Sequence, residues 1–287
     1  MKLYVFDDYQ LGAEAQDGTL VNITDLVDEH ADPKERMNKL IVAWDDVRDE
    51  AQARVEAGGG LPFEGRQLRA PQPQPRNLFA APVNYHKHQA EMGGEGGVYQ
   101  DRKILDVSVR KGFLKAVTSI VGPHEEIVLP WADRRFDHEA EIGVIMGKET
   151  RDATVDNALD HVFGYTPLMD ITLRGDEDRS FRKSMDTFTP IGPYILTADE
   201  VEDPEKLDFW LTVNGEDRQR SNTSYMIYGV RKLIECYSEV MTLQPGDIIA
   251  TGTPEGVGEI KPGDTVVLTI PEIGELTMPV VLRGESA

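Results

Sequence analysis

The segment 137–147 joins two carboxylates directly to a long apolar run, and this junction restricts how the chain can fold. Glu139 and Glu141 stand two positions apart, so both side chains point to the same face if the segment is a β-strand. Two like charges beside a buried strand repel each other and lose hydration, at a cost on the order of several kcal/mol per ion. A raised pKa, cationic partners or a divalent cation would offset that cost. We favour the cation; ion pairs with Arg134 and Arg135 at a sheet edge are the alternative.

Charge and composition exclude several classes of protein. The net charge of −21 argues against nucleic-acid partners and anionic membrane surfaces. The chain has no apolar run of about 18 residues, so no transmembrane helix is predicted. The single cysteine, Cys236, excludes an internal disulfide, and the N-terminus begins like a strand rather than a signal peptide. These features predict an acidic cytoplasmic protein with a small-molecule partner.

Residues 1–70 have the pattern of a small N-terminal α/β domain. Short apolar runs at residues 3–6 and 20–23 predict strands, and apolar residues at helical spacing predict a helix over residues 33–57. Alternating prolines in residues 71–77 predict an extended linker, because proline disfavours helix at its own position and at the preceding one. A domain boundary is therefore expected there.

Residues 78–287 form the predicted catalytic domain, in which short strands and turns predominate. The pair Asn214–Gly215 predicts a type I′ hairpin, and Pro–Gly pairs at residues 245–246 and 262–263 each precede an apolar strand. One helix is predicted over residues 225–241. Strands and helices do not alternate regularly, so the predicted fold class is α+β and β-rich rather than doubly wound.

Asp170 ends another apolar segment and is the best candidate for a third acidic ligand beside Glu139 and Glu141. Three carboxylates without a nearby cysteine suit a hard cation, Mg²⁺ or Mn²⁺, whose remaining positions take water or substrate oxygens. The spacing of the two glutamates is a weak signal by itself, so this prediction depends on the other motifs of the chain.

A histidine and a glutamate stand at helical spacing within residues 84–92. On a helix, His88 and Glu91 are neighbours. A carboxylate beside an imidazole fixes its tautomer and raises its pKa, which suits a general base that activates water. A metal site made by His86 and His88 is the less favoured alternative. The glycines within residues 93–97 predict a flexible lid.

Several cationic and hydroxyl side chains are candidates for binding an acidic substrate. Lys183, among aromatic residues and acids, is predicted to pair with a metal-bound carboxylate or to hold a substrate carboxylate. Arg174 has the geometry to clamp a carboxylate with two hydrogen bonds. For both, a solvent-exposed position is an equal alternative. The glycine-rich turn around Gly252 lacks the Gly-Lys-Ser/Thr ending of a phosphate loop and favours close approach of a small acid, with Thr253 supplying a hydroxyl.

Taken in their order along the chain, these segments resemble the fumarylacetoacetate hydrolase (FAH) superfamily. The resemblance covers about residues 76–281, and it is specific because of the joint order of its motifs. These motifs are N-Y-x-x-H-x-x-E-M, F-L-K, D-x-E-x-E, G-Y-x-x-x-x-D, K-S-x-D-T-F, V-N-G and T-G-T-P-x-G-V-G. The resemblance implies that the three acids named above bind Mg²⁺ or Mn²⁺, and that His88 and Glu91 activate water or move protons.

The resemblance also predicts residues that contact the substrate, and an architecture. Arg174, Lys183 and Thr253 match positions that contact the 2-oxo acid end of the substrate, and Lys183 is counted among the catalytic residues. Lys115 matches a lysine near the active site, and Tyr85, within the first motif, is added as a substrate contact. The implied fold is a mixed β-roll catalytic domain with a small N-terminal domain, usually assembled as a homodimer.

The predicted function is metal-dependent hydrolysis of a carbon–carbon bond in an acylpyruvate or related diketo acid. The alternative is an isomerase, decarboxylase or dehydratase acting on a 2-oxo acid, a 2-hydroxy-dienoic acid or a 2-oxo-3-deoxy sugar acid through a metal-bound enolate. A non-catalytic binding protein on the same scaffold is disfavoured, because His88, Glu91 and Lys183 are all present.

Overall fold

The computed structural model describes residues 1–28, 30–94 and 103–285, so residues 95–97 of the predicted lid lie outside the described residues. The strands are β1 (Lys2–Phe6), β2 (Gln10–Glu14), β3 (Leu20–Asn22), β4 (Leu68–Arg69), β5 (Leu78–Ala80), β6 (Phe113–Lys115), β7 (Ile120–Val121), β8 (Ile127–Leu129), β9 (Phe136–His138), β10 (Ala140–Met146), β11 (Val162–Met169), β12 (Thr172–Leu173), β13 (Thr189–Pro190), β14 (Ile195–Thr197), β15 (Asp208–Val213), β16 (Glu216–Asn222), β17 (Ile248–Ala250), β18 (Gly258–Ile260), β19 (Thr265–Ile270) and β20 (Gly274–Leu282). The α-helices are α1 (Arg36–Ala57), α2 (His86–Gly93), α3 (Val107–Arg110), α4 (Arg179–Lys183) and α5 (Val230–Ser238).

Two large sheets dominate the architecture. A ten-stranded sheet has the order β3-β2-β1-β14-β11-β10-β17-β5-β6, with β4 paired to β1, and a five-stranded sheet has the order β16-β15-β19-β20-β8. Smaller groups are β12-β9-β18 and β13-β7. The predicted α+β, β-rich fold class is therefore confirmed. In the part of the chain that the structure describes, no helix has the length and apolar character needed to cross a membrane.

The N-terminal strands belong to the large sheet. β1 pairs with β14, with Leu3 opposite Ile195, so the hydrogen-bonded ladder passes the boundary expected at residues 71–77. Alternate residues of β1 point to opposite faces: Tyr4 joins one buried apolar cluster and Val5 joins the other. The division into two domains stays a prediction, and the sheet ties both parts into one framework.

One predicted helix is confirmed and the other is wrong in extent. A short 3₁₀ turn at Pro33–Glu35 leads into α1, which ends at Ala57 as predicted. The helix expected over residues 225–241 is reduced to α5, because the chain is extended at Gly229, with φ −62° and ψ 173°. Beyond the helix end Val240 is 67% exposed, although its spacing predicted a core position.

The β15–β16 hairpin confirms the predicted turn and contains an irregularity. Asn214 and Gly215 have φ of 53° and 79°, as a type I′ turn requires. The register shifts along the pair, so that Arg218 is an extra residue and Gln219 lies opposite Leu211. Gln219 is buried while Arg218 is exposed. The bulge therefore aims one polar side chain into the molecule.

Candidate active site

Sheet register brings the three predicted carboxylates together. β10 and β11 are antiparallel, with Glu141 opposite Leu168, and the backbone N–H of Asp170 donates to the carbonyl of Glu139 at 2.9 Å. β10 lies between β11 and β17 and is buried along its whole length, with Val144 in one apolar cluster and Ile145 in the other. Burial of both faces explains its continuous apolar run. Glu139, Glu141 and Asp170 are all buried, and each offers an oxygen within 4.8 Å of the others.

This donor set fits Mg²⁺ or Mn²⁺. Both ions take oxygen ligands at roughly 2.1 Å in octahedral geometry, which puts ligand oxygens about 3–4 Å apart. The alternative of a sheet-edge ion pair is wrong, because Arg134 binds Glu177 at 2.7 Å and Arg135 binds Asp137 at 2.8 Å. The carboxylates therefore remain directed at a common point.

Two buried lysines contact the carboxylates. Lys183, at the end of α4, donates to Glu139 Oε2, Asp170 Oδ2 and Thr172 Oγ1, each at 2.6 Å. Lys115, on β6, donates to Asp170 Oδ1 at 2.5 Å and to the carbonyl of Phe188 at 2.9 Å. A solvated position for Lys183 is thereby excluded, since its side chain is only 9% exposed.

Burial and neighbouring charges act in opposite directions on these groups. Burial raises the pKa of Glu141 well above its ordinary value, and the Asp170 and Glu139 carboxylates raise it further. Burial also acts to raise the pKa of Glu139, but the Lys183 and Arg174 cations outweigh it and hold that pKa low. The two glutamates of one motif thus differ in protonation. Glu139 is an anion paired with Lys183 and Arg174, whereas Glu141 favours the protonated form until a metal cation displaces the proton.

Arg174 positions a ligand instead of standing exposed. Its Nε donates to Asp137 Oδ2 at 2.8 Å, and its Nη2 donates to Glu139 Oε1 at 3.0 Å. Asp137, fully buried, also accepts two hydrogen bonds from Arg135. Sequence analysis did not assign Asp137, although an acid two positions before Glu139 continues the same face of the segment. Contact between Arg174 and a substrate stays a prediction.

The histidine–glutamate pair forms on α2 as predicted. His88 Nδ1 lies 3.2 Å from Glu91 Oε2, and Glu91 Oε1 accepts a hydrogen bond from the backbone N–H of Gly256 at 3.0 Å. His88 is buried and lines the cavity at the carboxylates, whereas His86 is exposed and does not line it. The metal site proposed for His86 and His88 is therefore not formed.

The loop after β17 supplies two neighbouring residues with different contacts. The backbone N–H of Gly252 donates to Glu141 Oε2 at 2.7 Å. Gly252 has φ +88°, and a Cβ there would lie 2.7 Å from Cβ of Asn84, so glycine is required. Gly252 thus holds a carboxylate, while Thr253 lines the cavity and accepts a hydrogen bond from Gln219. Sequence analysis did not single out Gln219.

Tyr85 lies deep in the core. Its ring packs against Phe209 with centroids 6.4 Å apart, and it is not among the residues that line the cavity. Burial raises the pKa of its phenol well above the ordinary value, and the nearby Glu141 carboxylate adds to this shift. Its role as a substrate contact stays a prediction.

The site has an inner and an outer cavity. The inner cavity, about 50 Å³, is bordered by the carboxylates, His88, Lys183, Arg174 and Thr253. The outer cavity, about 660 Å³, shares Phe113 and Arg179 with it. A small polar group fits the inner cavity, and the outer one accommodates the rest of a larger molecule.

Comparison with known proteins identifies the family of the chain. The family model described as fumarylacetoacetate (FAA) hydrolase C-terminal matches residues 77–281. Maleylpyruvate hydrolase of Aquipseudomonas alcaligenes is 35% identical over 285 residues, covering 98% of this chain and 99% of the relative. Oxaloacetate tautomerase YisK of Bacillus subtilis (strain 168) is 37% identical over 223 residues, covering 74% of this chain and 72% of the relative.

A solved structure is similar over nearly the whole chain. It is a crystal structure of maleylpyruvate hydrolase from Sphingobium sp. SYK-6 in complex with manganese(II) ion and pyruvate, with 38% identity and a TM-score of 0.86. It covers 98% of this chain, which in turn covers 99% of that chain. The chain therefore belongs to the fumarylacetoacetate hydrolase family and is a metal-dependent enzyme of that type. The predicted family, fold and Mg²⁺ or Mn²⁺ cofactor are confirmed.

Proposed function

We propose that the protein hydrolyses a carbon–carbon bond in an acylpyruvate, and that it requires Mg²⁺ or Mn²⁺. One observation carries the proposal: the buried carboxylate triad borders the same cavity as His88, whose Nδ1 contacts Glu91. The similarity to maleylpyruvate hydrolases over nearly the whole chain supports hydrolysis. The match to the tautomerase covers about three-quarters of the chain, so that alternative has less support.

The charges of the site suit an anionic substrate. Three carboxylates face two buried lysines, Lys115 and Lys183, and Arg174 is shared with Asp137. With Glu141 protonated, the triad and the two lysines are neutral together, and a divalent cation that displaces this proton would give them one positive charge. When bound by Glu139, Glu141 and Asp170, Mg²⁺ or Mn²⁺ supplies Lewis-acid polarisation of the 2-oxo acid end.

His88 is positioned to take a proton from water. Glu91 accepts the hydrogen bond from Nδ1–H, which leaves the lone pair on Nε2 available as the base. The N–H of Gly256 restrains Glu91 and so restrains the imidazole. The attacking water forms a bond to the acyl carbon and gives its proton to His88. The bond between that carbon and the methylene of the pyruvate unit then breaks.

The proton balance also identifies the products. The electron pair of the broken bond stays on the pyruvate unit as an enolate. His88 can return its proton to the former methylene carbon, which gives pyruvate. The acyl part leaves as a carboxylic acid. Lys183 keeps Glu139 and Asp170 in place and adds positive charge beside the reacting end.

A second candidate is tautomerisation of a related 2-oxo acid, because a base that accepts and returns a proton at carbon serves that reaction too. The similarity to oxaloacetate tautomerase is the observation that favours it. The two reactions differ in the fate of water, since only hydrolysis incorporates a water oxygen into the acid product.

The test is a screen of acylpyruvates, oxaloacetate and 2-oxo-3-deoxy acids with Mn²⁺ present. We expect loss of enol absorbance, release of pyruvate, and ¹⁸O from labelled water in the second product, all abolished by a chelator. Loss of enol absorbance without ¹⁸O incorporation or pyruvate release would replace hydrolysis with tautomerisation.

We also propose a cytoplasmic homodimer. The single cysteine and the acidic composition support the location. Among the described strands, β6 lies at one edge of the large sheet, and its Leu114 is 49% exposed, as is expected of a residue that a second copy covers. Light scattering at several protein concentrations tests the oligomeric state, and a constant monomer mass would contradict it.

A further inference from the structure

Gln219 connects the metal-ligating strand to the loop that carries Thr253. It is 1% exposed, on the bulged strand β16 of the five-stranded sheet. Its Oε1 accepts from the backbone N–H of Ala140 at 2.9 Å and lies 3.1 Å from Nδ1 of His138. Its Nε2 donates to Thr253 Oγ1 at 2.8 Å and to the carbonyl of Pro254 at 3.0 Å. Ala140 stands between the two glutamates of the triad. One amide thus fixes the distance between ligands and loop.

The chemistry of its partners fixes the orientation of this amide. A backbone N–H can only donate, so the group facing Ala140 must be the oxygen of Gln219. A carbonyl can only accept, so the group facing Pro254 must be the nitrogen. The alternative orientation would place two donors together at one end and two acceptors at the other. The Nε2–H bond to Thr253 follows from these contacts and does not depend on an arbitrary assignment.

That bond determines what the Thr253 hydroxyl can do. The oxygen uses a lone pair to accept from Gln219, so its own hydrogen remains to be donated. Thr253 is 3% exposed and lines the inner cavity beside the carboxylates. Among the described residues, no protein group accepts this hydroxyl hydrogen. An anionic oxygen in the inner cavity is the acceptor that this arrangement suits.

We infer that Gln219 is a positioning residue that directs the Thr253 hydroxyl to donate to the carboxylate of the 2-oxo acid. This inference rests on the proposed function, because it needs a substrate carboxylate in the inner cavity. Gln219 does not touch the substrate. It acts through Thr253, and its other end keeps that donor in register with Glu139 and Glu141.

The test is a double-mutant cycle with Q219E and T253V in the Mn²⁺-loaded protein. The Q219E substitution would keep the shape of the side chain and the bond from Ala140, but its ionised carboxylate would accept the hydroxyl hydrogen of Thr253. We expect Q219E to weaken pyruvate binding about tenfold and to raise KM more than it lowers kcat. In the T253V background the same substitution should have little further effect.

Two readouts separate positioning from a general structural role. The defect of Q219E relative to wild type should shrink as the pH falls, because a protonated carboxyl can donate to Thr253 again. His138, the titratable side chain in contact with position 219, is present in every variant compared. Q219M, which cannot donate at any pH, should show a defect without that recovery. The matched control is Q72E, which changes another buried amide that links separate segments through Asn38 and Gly246. It should leave pyruvate binding unchanged.

The outcomes also separate this inference from the proposed function. If wild-type protein with Mn²⁺ binds no pyruvate and hydrolyses no acylpyruvate, the proposed function fails and the inference fails with it. If wild type does both, and Q219E costs the same factor with Thr253 present or replaced, only the inference is overturned. Melting temperatures of all variants identify any that fail to fold, and Q219M then replaces Q219E in the cycle.

Discussion

His88 Nδ1 lies 3.2 Å from Glu91 Oε2 on the same face of α2, and this contact orients the imidazole toward the carboxylate triad. We expect H88A to lower kcat about 10²–10⁴-fold, because a general base contributes about that factor. Mn²⁺ affinity should not change, since His88 is not one of the three carboxylate ligands. Steady-state kinetics and calorimetry check both. H86A, at an exposed position two residues away, is the control, and an equal loss in both variants would contradict the role.

The carboxylate triad predicts stabilisation by metal. At 100 times its Kd, Mn²⁺ should stabilise the protein by about 2.7 kcal/mol, which corresponds to a rise in Tm of roughly 4–5 °C. E141Q should abolish most of this rise, because it removes one of three anionic ligands. E259Q, at an exposed position, should leave it intact. Thermal melts with and without Mn²⁺ measure this rise in Tm. An unchanged rise in E141Q would show that Glu141 is not a metal ligand.

Metal binding should release protons. The pKa of Glu141 is raised by burial and by its acidic neighbours, so at pH values between its ordinary 4.5 and the raised value the group carries a proton in the metal-free protein. The cation must displace that proton, so Mn²⁺ affinity should rise with pH across this range. The folding stability of the metal-free protein should change with pH in the opposite direction. The contribution of Glu141 to this stability is lost as the pH rises through the raised pKa.

Calorimetric titration of Mn²⁺ at several pH values above 4.5, in buffers with different ionisation enthalpies, measures the proton count. The observed enthalpy should vary with the buffer because Glu141 releases its proton, and the proton count should fall as the pH rises. A count of zero at every pH would show that Glu141 is already ionised.

Arg179 predicts a preference among acyl groups. It lies where the inner and outer cavities meet, half-buried and with its guanidinium over the ring of Phe113 at 5.3 Å. A cation there favours a substrate with a second carboxylate on the acyl part. We expect R179M to lower kcat/KM about tenfold or more for such a substrate and much less for one with a neutral acyl group. R151M, at an exposed position that lines neither cavity, is the control. An equal loss for both substrates would contradict the prediction.

Local sequence patterns determined much of this molecule. The type I′ turn at Asn214–Gly215 forms because its residues tolerate positive φ, and α1 forms because its apolar residues recur at helical spacing. The chemistry of three acids without thiolate ligands pointed to a hard cation. The extent of α5 was not predictable from local sequence. The backbone is extended up to Gly229, and whether those residues are extended or helical depends on their contacts with other segments of the chain.

Tertiary structure determined which of the site residues lie close together. Asp170 reaches Glu139 only through the register of β10 with β11, and a shift of one residue would turn its side chain to the opposite face. Likewise, Arg174 binds Asp137 and Glu139, and Gln219 reaches Thr253 from another sheet, because these contacts join residues far apart in the chain. The sequence alone determined which chemical groups were present and what ion they suit. Only packing and register, which depend on the whole chain, decided which groups share one buried centre.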